Sequence, residues 1–136
     1  MERSRLRTLL YVDDEPDIRQ IVQLALGLAP GLTVHTGDSG EAALHLARTL
    51  EPAPDLILLD VMMPGLDGAG ALALLHAEPR AAHIPVVFMT AKTRSQEIAR
   101  FHELGAAGVI AKPFDPMRLA QQVYELWDGL SARACA

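Results

Sequence analysis

An α/β fold built on a doubly wound parallel sheet is what this 136-residue sequence predicts, and three observations predict it. Five short apolar runs alternate strictly with five longer amphipathic stretches, the pattern of strands joined by right-handed helical crossovers. Two of the runs, "LILL" at 56–59 and "VVFM" at 86–89, show no polar–apolar alternation. Strands of that kind are covered by helices on both faces, as in a parallel sheet. Finally, the apolar runs end repeatedly on polar residues able to carry chemistry: Asp13 and Asp14, Asp60, Thr90 and Lys112.

Each element has its own local reason. "TLLYV" (8–12) is a short apolar run of strand length. Over 16–28, Ile18, Ile21, Val22, Ala25 and Leu26 recur at helical spacing behind Pro16, which suits a first helical turn. "LTVHT" (32–36) is the second strand. In "DSGEAALHLARTL", Asp38 or Ser39 caps a helix with Glu41 in its first turn. "LILL" is followed by the Ala/Leu-rich helix 68–78, which stops before Pro79. "PVVFM" (85–89) precedes a helix over 95–105 that ends at Gly105, a favoured C-terminal residue. "GVIA" (108–111) is the fifth strand. The last helix begins at the Asp115 cap with Pro116 behind it, and Leu119, Val123, Leu126 and Leu130 form its apolar stripe. There is no internal repeat or low-complexity tract, so 1–136 reads as one domain with a core over about 7–130.

Composition narrows the functional classes. The net charge of −5 argues against direct nucleic-acid binding. Arg3, Arg5 and Arg7 read as a solvated flank. The single cysteine, Cys135, cannot form an internal disulfide, so the fold needs no oxidising compartment. The sequence shows neither a signal peptide nor an apolar stretch for membrane insertion, and a cytoplasmic protein is the expectation. Met1 and the short tails favour a free-standing protein.

Strand ends in a parallel sheet share one edge, and open α/β sheets bind ligands there, where the strand order reverses. In the flavodoxin-like order 2-1-3-4-5 the first and third strands are neighbours, so Asp13, Asp14 and Asp60 stand together. Three clustered carboxylates repel one another unless a cation intervenes. Magnesium typically uses one or two carboxylates and keeps waters that help bind phosphate. Lys112 adds a positive charge and Thr90 a hydroxyl, together able to hold phosphoryl oxygens while a carboxylate acts as nucleophile. Taken singly, each acid also suits a loop or helix cap, and Thr90 equally suits a cap on the helix that follows it. No Gly-rich phosphate loop follows the first strand, which argues against a nucleotide-binding fold. The five histidines show no helical ligand pair and predict no zinc site.

The motifs "VDDEPDIR", "DLILLDVMMPGLDG", "PVVFMTA" and "GAAGVIAKPF" resemble the receiver domain of two-component response regulators over about Leu9 to Leu130. The resemblance implies a chemotaxis-regulator-like, single-domain switch that catalyses its own phosphorylation and dephosphorylation rather than a turnover enzyme. Asp60 would accept the phosphoryl group from a histidine kinase or histidine phosphotransfer protein. Asp14 would ligate Mg2+ (or Mn2+) directly, Asp13 through metal-bound water, and Asp60 and the backbone carbonyl of Met62 would be further ligands. Thr90 and Lys112 would hold the phosphoryl oxygens. The resemblance also implies a cis bond between Lys112 and Pro113, and a backbone role for Pro64, Gly65 and Gly68 in the turn after the third strand. An apolar Met62 would hinder attack by water and slow self-dephosphorylation.

One departure concerns the output. The family usually carries Tyr or Phe three residues before the lysine, and here that residue is Val109, with no ring to swing. The signal should then leave through Thr90, the loop after it and the helix at 95–104. Tyr124 and Trp127 are candidates either for core-edge packing or for a partner surface towards an unknown downstream protein. Many family members dimerise through the fourth helix, fifth strand and fifth helix, which makes that face a candidate here. Three other readings compete: a phosphorylation-independent interaction module of the same fold, a receiver excised from a larger regulator or hybrid kinase, and a phosphatase or phosphotransferase acting on small molecules. Met62 stands where a haloacid-dehalogenase-type phosphatase would place its second aspartate.

Overall fold

The computed structural model describes residues 5–135, with side chains through Leu130. Met1, Arg3 and the side chain of Cys135 lie outside the described residues. Ten elements alternate along the chain: β1 (Thr8–Val12), α1 (Pro16–Gly27), β2 (Thr33–Gly37), α2 (Gly40–Thr49), β3 (Leu56–Asp60), α3 (Gly68–Ala77), β4 (Val86–Thr90), α4 (Ser95–Glu103), β5 (Gly108–Ala111) and α5 (Leu119–Cys135). The five strands form one sheet in the order β2-β1-β3-β4-β5, and every pair is parallel. The expected topology is therefore observed.

The three central strands are buried at every position. Alternate residues feed two core layers, as side chains on a strand must point to opposite faces. Leu10, Val12, Ile57, Leu59 and Phe88 pack with α2, α3 and α4 residues such as Ala43, Leu72 and Phe101. Leu9, Tyr11, Leu58, Val87 and Met89 pack on the opposite face with Val22 and Leu26 of α1 and Leu119 and Val123 of α5. Asp55 fixes the start of β1, accepting backbone N–H bonds from Arg7 and Thr8, both at 3.0 Å. Arg5 and Arg7 are exposed, in keeping with a solvated flank.

Caps follow the sequence with one difference, at the last helix. Ser39, rather than Asp38, caps α2, its hydroxyl accepting from the Ala42 N–H at 3.0 Å. Asp67 caps α3 through the Gly70 N–H at 2.9 Å. The last helix starts at Leu119 and not behind Asp115. Asp115 instead closes a separate turn: its Oδ1 accepts from the Met117 N–H and its carbonyl from the Arg118 N–H, each at 2.9 Å. A bond to the third residue on makes a tighter turn than an α-helix. Pro116, lacking an N–H, sits inside it without cost. Among the described residues no helix is long and apolar enough to cross a membrane.

Candidate functional site

β1, β3, β4 and β5 run in one direction, so their C-terminal ends bring Asp13, Asp14, Asp60, Thr90 and Lys112 to one rim. β1 and β3 are adjacent. One carboxylate oxygen from each of Asp13, Asp14 and Asp60 lies within 4.8 Å of the others. Oxygen donors at that spacing suit a hard divalent cation.

The three acids differ sharply in surroundings. Asp13 is fully buried. Its Oδ2 accepts from the Tyr11 hydroxyl at 2.6 Å and from Lys112 Nζ at 3.0 Å. Its Oδ1 accepts from the Glu15 N–H at 3.0 Å. The Asp13 backbone is held too, its N–H by the Gly37 carbonyl at 3.1 Å and its carbonyl by Arg19 Nη1 at 2.8 Å. Asp14 is half-buried and makes no hydrogen bond or ion pair to the protein among the described residues. It is the carboxylate most available to a direct cation. Asp60 is 6% exposed, and its Oδ1 meets Lys112 Nζ and the Met62 N–H, both at 3.3 Å. Both contacts fall on Oδ1, which leaves Oδ2 the less encumbered oxygen.

Lys112 thus bridges the two buried acids. Burial alone would lower its pKa, but the Asp13 hydrogen bond and the charges of Asp13 and Asp60 outweigh it and raise it. Burial pushes the Asp13 carboxyl up, yet the Tyr11 hydroxyl, the Glu15 N–H and Lys112 together hold it below its ordinary value. For Asp60, burial wins: Lys112 opposes it, the Asp13 charge adds to it, and the pKa is raised. Tyr11 is raised far above an ordinary phenol, first by burial and then by its bond to Asp13.

The turn after β3 is set by glycine. Gly65 has φ +73°, and a Cβ on Gly68 would lie 2.7 Å from the Asp60 carbonyl oxygen. The Met62 side chain beside it is 64% exposed. Thr90 is 2% exposed, and its Oγ1 accepts from the Lys92 N–H at 2.9 Å. Of the two roles open to it in sequence, Thr90 does not cap α4, whose N-cap is Arg94 with no side-chain bond. The Lys112–Pro113 bond is cis. Val109 is half-buried, opposite Phe88 in the β4–β5 register. The ring of Phe88 meets the edge of Phe101 at 5.2 Å, so an aromatic pair fills the core beneath α4 on that side. Tyr124 and Trp127 are half-buried against the layer beneath α1 and α5, as core-edge residues.

The sequence pattern does not mark Arg19 as part of the site, but it carries a signal for Tyr11. Tyr11 and Asp13 are two apart on one strand and so share a face, and a buried tyrosine hydroxyl needs an acceptor.

This arrangement defines a class: a parallel α/β protein with an acidic pocket, a hydroxyl and a lysine at the strand C-termini. Comparisons place it more finely. The profile of the response regulator receiver domain family matches residues 9–124. The chain is 37% identical over 132 residues to a probable transcriptional regulator ycf27 of Cyanidium caldarium, covering 97% of this chain and 51% of that protein. It is 37% identical over 128 residues to the phosphate regulon transcriptional regulatory protein PhoB of Klebsiella pneumoniae, covering 94% of this chain and 55% of that one. The chain spans about half the length of the curated relatives it matches. Among solved structures, the chemotaxis response regulator CheY4 of Vibrio cholerae superposes with a TM-score of 0.81 at 29% identity, over 90% of this chain and 99% of that one. The chain belongs to the response regulator receiver domain family.

Proposed function

We propose that Asp60 accepts a phosphoryl group from a histidine kinase or histidine phosphotransfer protein, in a reaction dependent on Mg2+ or Mn2+, and that this switches which protein the chain binds. The observation that carries the reading is the bridge from Lys112 Nζ to Asp13 Oδ2 and Asp60 Oδ1, beside the exposed side of Asp14. An Asp60 oxygen attacks the phosphorus of a phosphohistidine. The new P–O bond forms as the P–N bond breaks, and the departing imidazole takes a proton from solvent. A bound divalent cation would offset the charge gathered by the carboxylates and phosphoryl oxygens. Asp14 would hold it directly and Asp13 through water, and Asp60 and the Met62 carbonyl would supply further oxygen ligands. Lys112 pairs with one phosphoryl oxygen and the Thr90 hydroxyl donates to another, an arrangement suited to stabilising developing charge.

The donor has a surface to meet. A groove of about 370 Å³ runs from Lys112 past Glu15, Ile18, Ile21, Pro113 and Phe114, so apolar side chains of a donor can pack beside the acceptor. On the output side, Thr90 gives up the Lys92 N–H when it turns to a phosphoryl oxygen, which frees the loop leading to α4. That route needs no ring at Val109. The face of α4, β5 and α5 remains the candidate for a dimer or a downstream protein, with no direct nucleic-acid contact by this unit. Residues 1–136 act as one domain, in the cytoplasm.

Transfer from a purified phosphohistidine donor with magnesium tests the reading. Asp60→Asn is expected to lower acceptance by at least about 100-fold, since the nucleophile is gone. Acceptance at the wild-type rate would reject Asp60.

A further inference from the structure

Tyr11 sits where no role has been assigned, and its surroundings are unusual for a core residue. The ring is fully buried in the layer beneath α1 and α5, packed with Leu9, Val22, Leu26 and Leu58. The hydroxyl emerges from that apolar layer onto Asp13 Oδ2 at 2.6 Å, the length of a charge-assisted O–H···O⁻ bond. Oδ2 has a second donor, Lys112 Nζ, and an ionised carboxylate oxygen has about two acceptor sites. In this state Tyr11 and Lys112 together satisfy Oδ2.

The two donors are not equivalent. Lys112 is 23% exposed at the end of a flexible stem and already reaches Asp60 Oδ1 at 3.3 Å. A phosphoryl group on Asp60 would put anionic oxygens beside that ammonium and compete with Asp13 for it. Tyr11 cannot move with it, because its ring is held on every side. We propose that Tyr11 is a positioning residue of the acceptor site: its hydroxyl keeps Asp13 Oδ2 partnered and in place when Lys112 turns to the phosphoryl group, while the Glu15 N–H holds Oδ1. The inference rests on the reading of Asp60 as acceptor. Without the hydroxyl, Oδ2 would lose both of its protein donors when the phosphorylated state forms, while Oδ1 keeps the Glu15 N–H, and a buried acceptor oxygen stripped of its donors is costly.

The test separates two binding steps by calorimetry: Mg2+ alone, then beryllofluoride, a phosphoryl mimic, in saturating Mg2+. Tyr11→Phe keeps the ring, and thermal melting checks that it folds. With Mg2+ alone Lys112 still holds Asp13, so affinity should change by less than about 3-fold, whereas beryllofluoride affinity should fall by about 10-fold or more, the loss of one hydrogen bond to a charged group. In an Asp13→Asn background the effect of Tyr11→Phe on beryllofluoride should shrink below about 3-fold, because the acceptor is neutral. Equal losses for both ligands, no loss, or the full loss in the Asp13→Asn background would each overturn the assignment. A wild-type protein that binds no beryllofluoride would overturn the acceptor reading and this one with it. A wild type that binds, with Tyr11→Phe its equal, would overturn this one alone.

Discussion

The two halves of the rim are built differently. On the β1–β3 side, Asp13 is anchored at its N–H, its carbonyl and both carboxylate oxygens, and the close approach at Gly68 fixes the backbone of Asp60. On the β4–α4 side, Thr90 is buried, but Ala91 through Gln96 are exposed and α4 lacks a side-chain cap. The Thr90–Lys92 bond is the one side-chain tie described for that loop. One half holds its charged groups still, and the other half moves at little cost. Segments with few buried contacts and solvated backbone bonds open at the lowest free energy, so a switch built this way can be rigid in chemistry and mobile in output.

Lys112→Ala strikes the rigid half hardest. It leaves two buried carboxylates without their shared cation, and breaking buried pairs is strongly destabilising. Metal-free protein should lose about 2–4 kcal/mol in urea titration, and magnesium should restore more stability to the variant than it adds to wild type. A variant as stable as wild type without metal would mean that Tyr11 and the Glu15 N–H suffice for Asp13.

Gly68→Ala tests the same half through the backbone. A Cβ there meets the Asp60 carbonyl oxygen and the Val61 Cα, both at 2.7 Å, contacts that side chains do not make without a shift. A loss of about 1–3 kcal/mol is expected, as in other overpacked sites, together with slower phosphoryl transfer. Unchanged transfer would show that Asp60 tolerates displacement and that the rigidity is not needed.

Thr90→Val probes the permissive half, with the smallest effect on stability. The Lys92 N–H loses its acceptor but has water within reach, so stability should change by no more than about 1 kcal/mol. Amide hydrogen exchange at Lys92 should quicken by about 10-fold, the kinetic counterpart of one lost bond. Exchange equal to wild type would mean that other contacts hold the loop.

Much of this was legible in the sequence because strand ends are local events. "TLLYV" followed by two aspartates, "LILL" by Asp60 and "GVIA" by Lys112 each declare a strand and its terminus, and parallel pairing sends those termini to one edge. The boundaries moved slightly: β2 closes at Gly37, and α5 opens at Leu119, because Asp115 bonds within its own turn before the helix begins. The role of Tyr11 was harder to see. In sequence it looks like one more apolar member of a strand, and its value depends on what its hydroxyl touches.

By itself, then, the sequence determined the order of elements, the parallel sheet and the set of side chains on its rim, since hydrophobic period and run length dictate these locally. Only the tertiary structure made Asp13 and Asp14 unequal. They are neighbours with the same carboxylate, yet one is fully buried and the other half-exposed. The difference comes from partners the chain must fold to deliver: a hydroxyl rising from the core layer beneath α1 and α5, and an ammonium 99 residues away. Burial and long-range donors set a carboxylate's charge and freedom, and neither is written in its immediate neighbours.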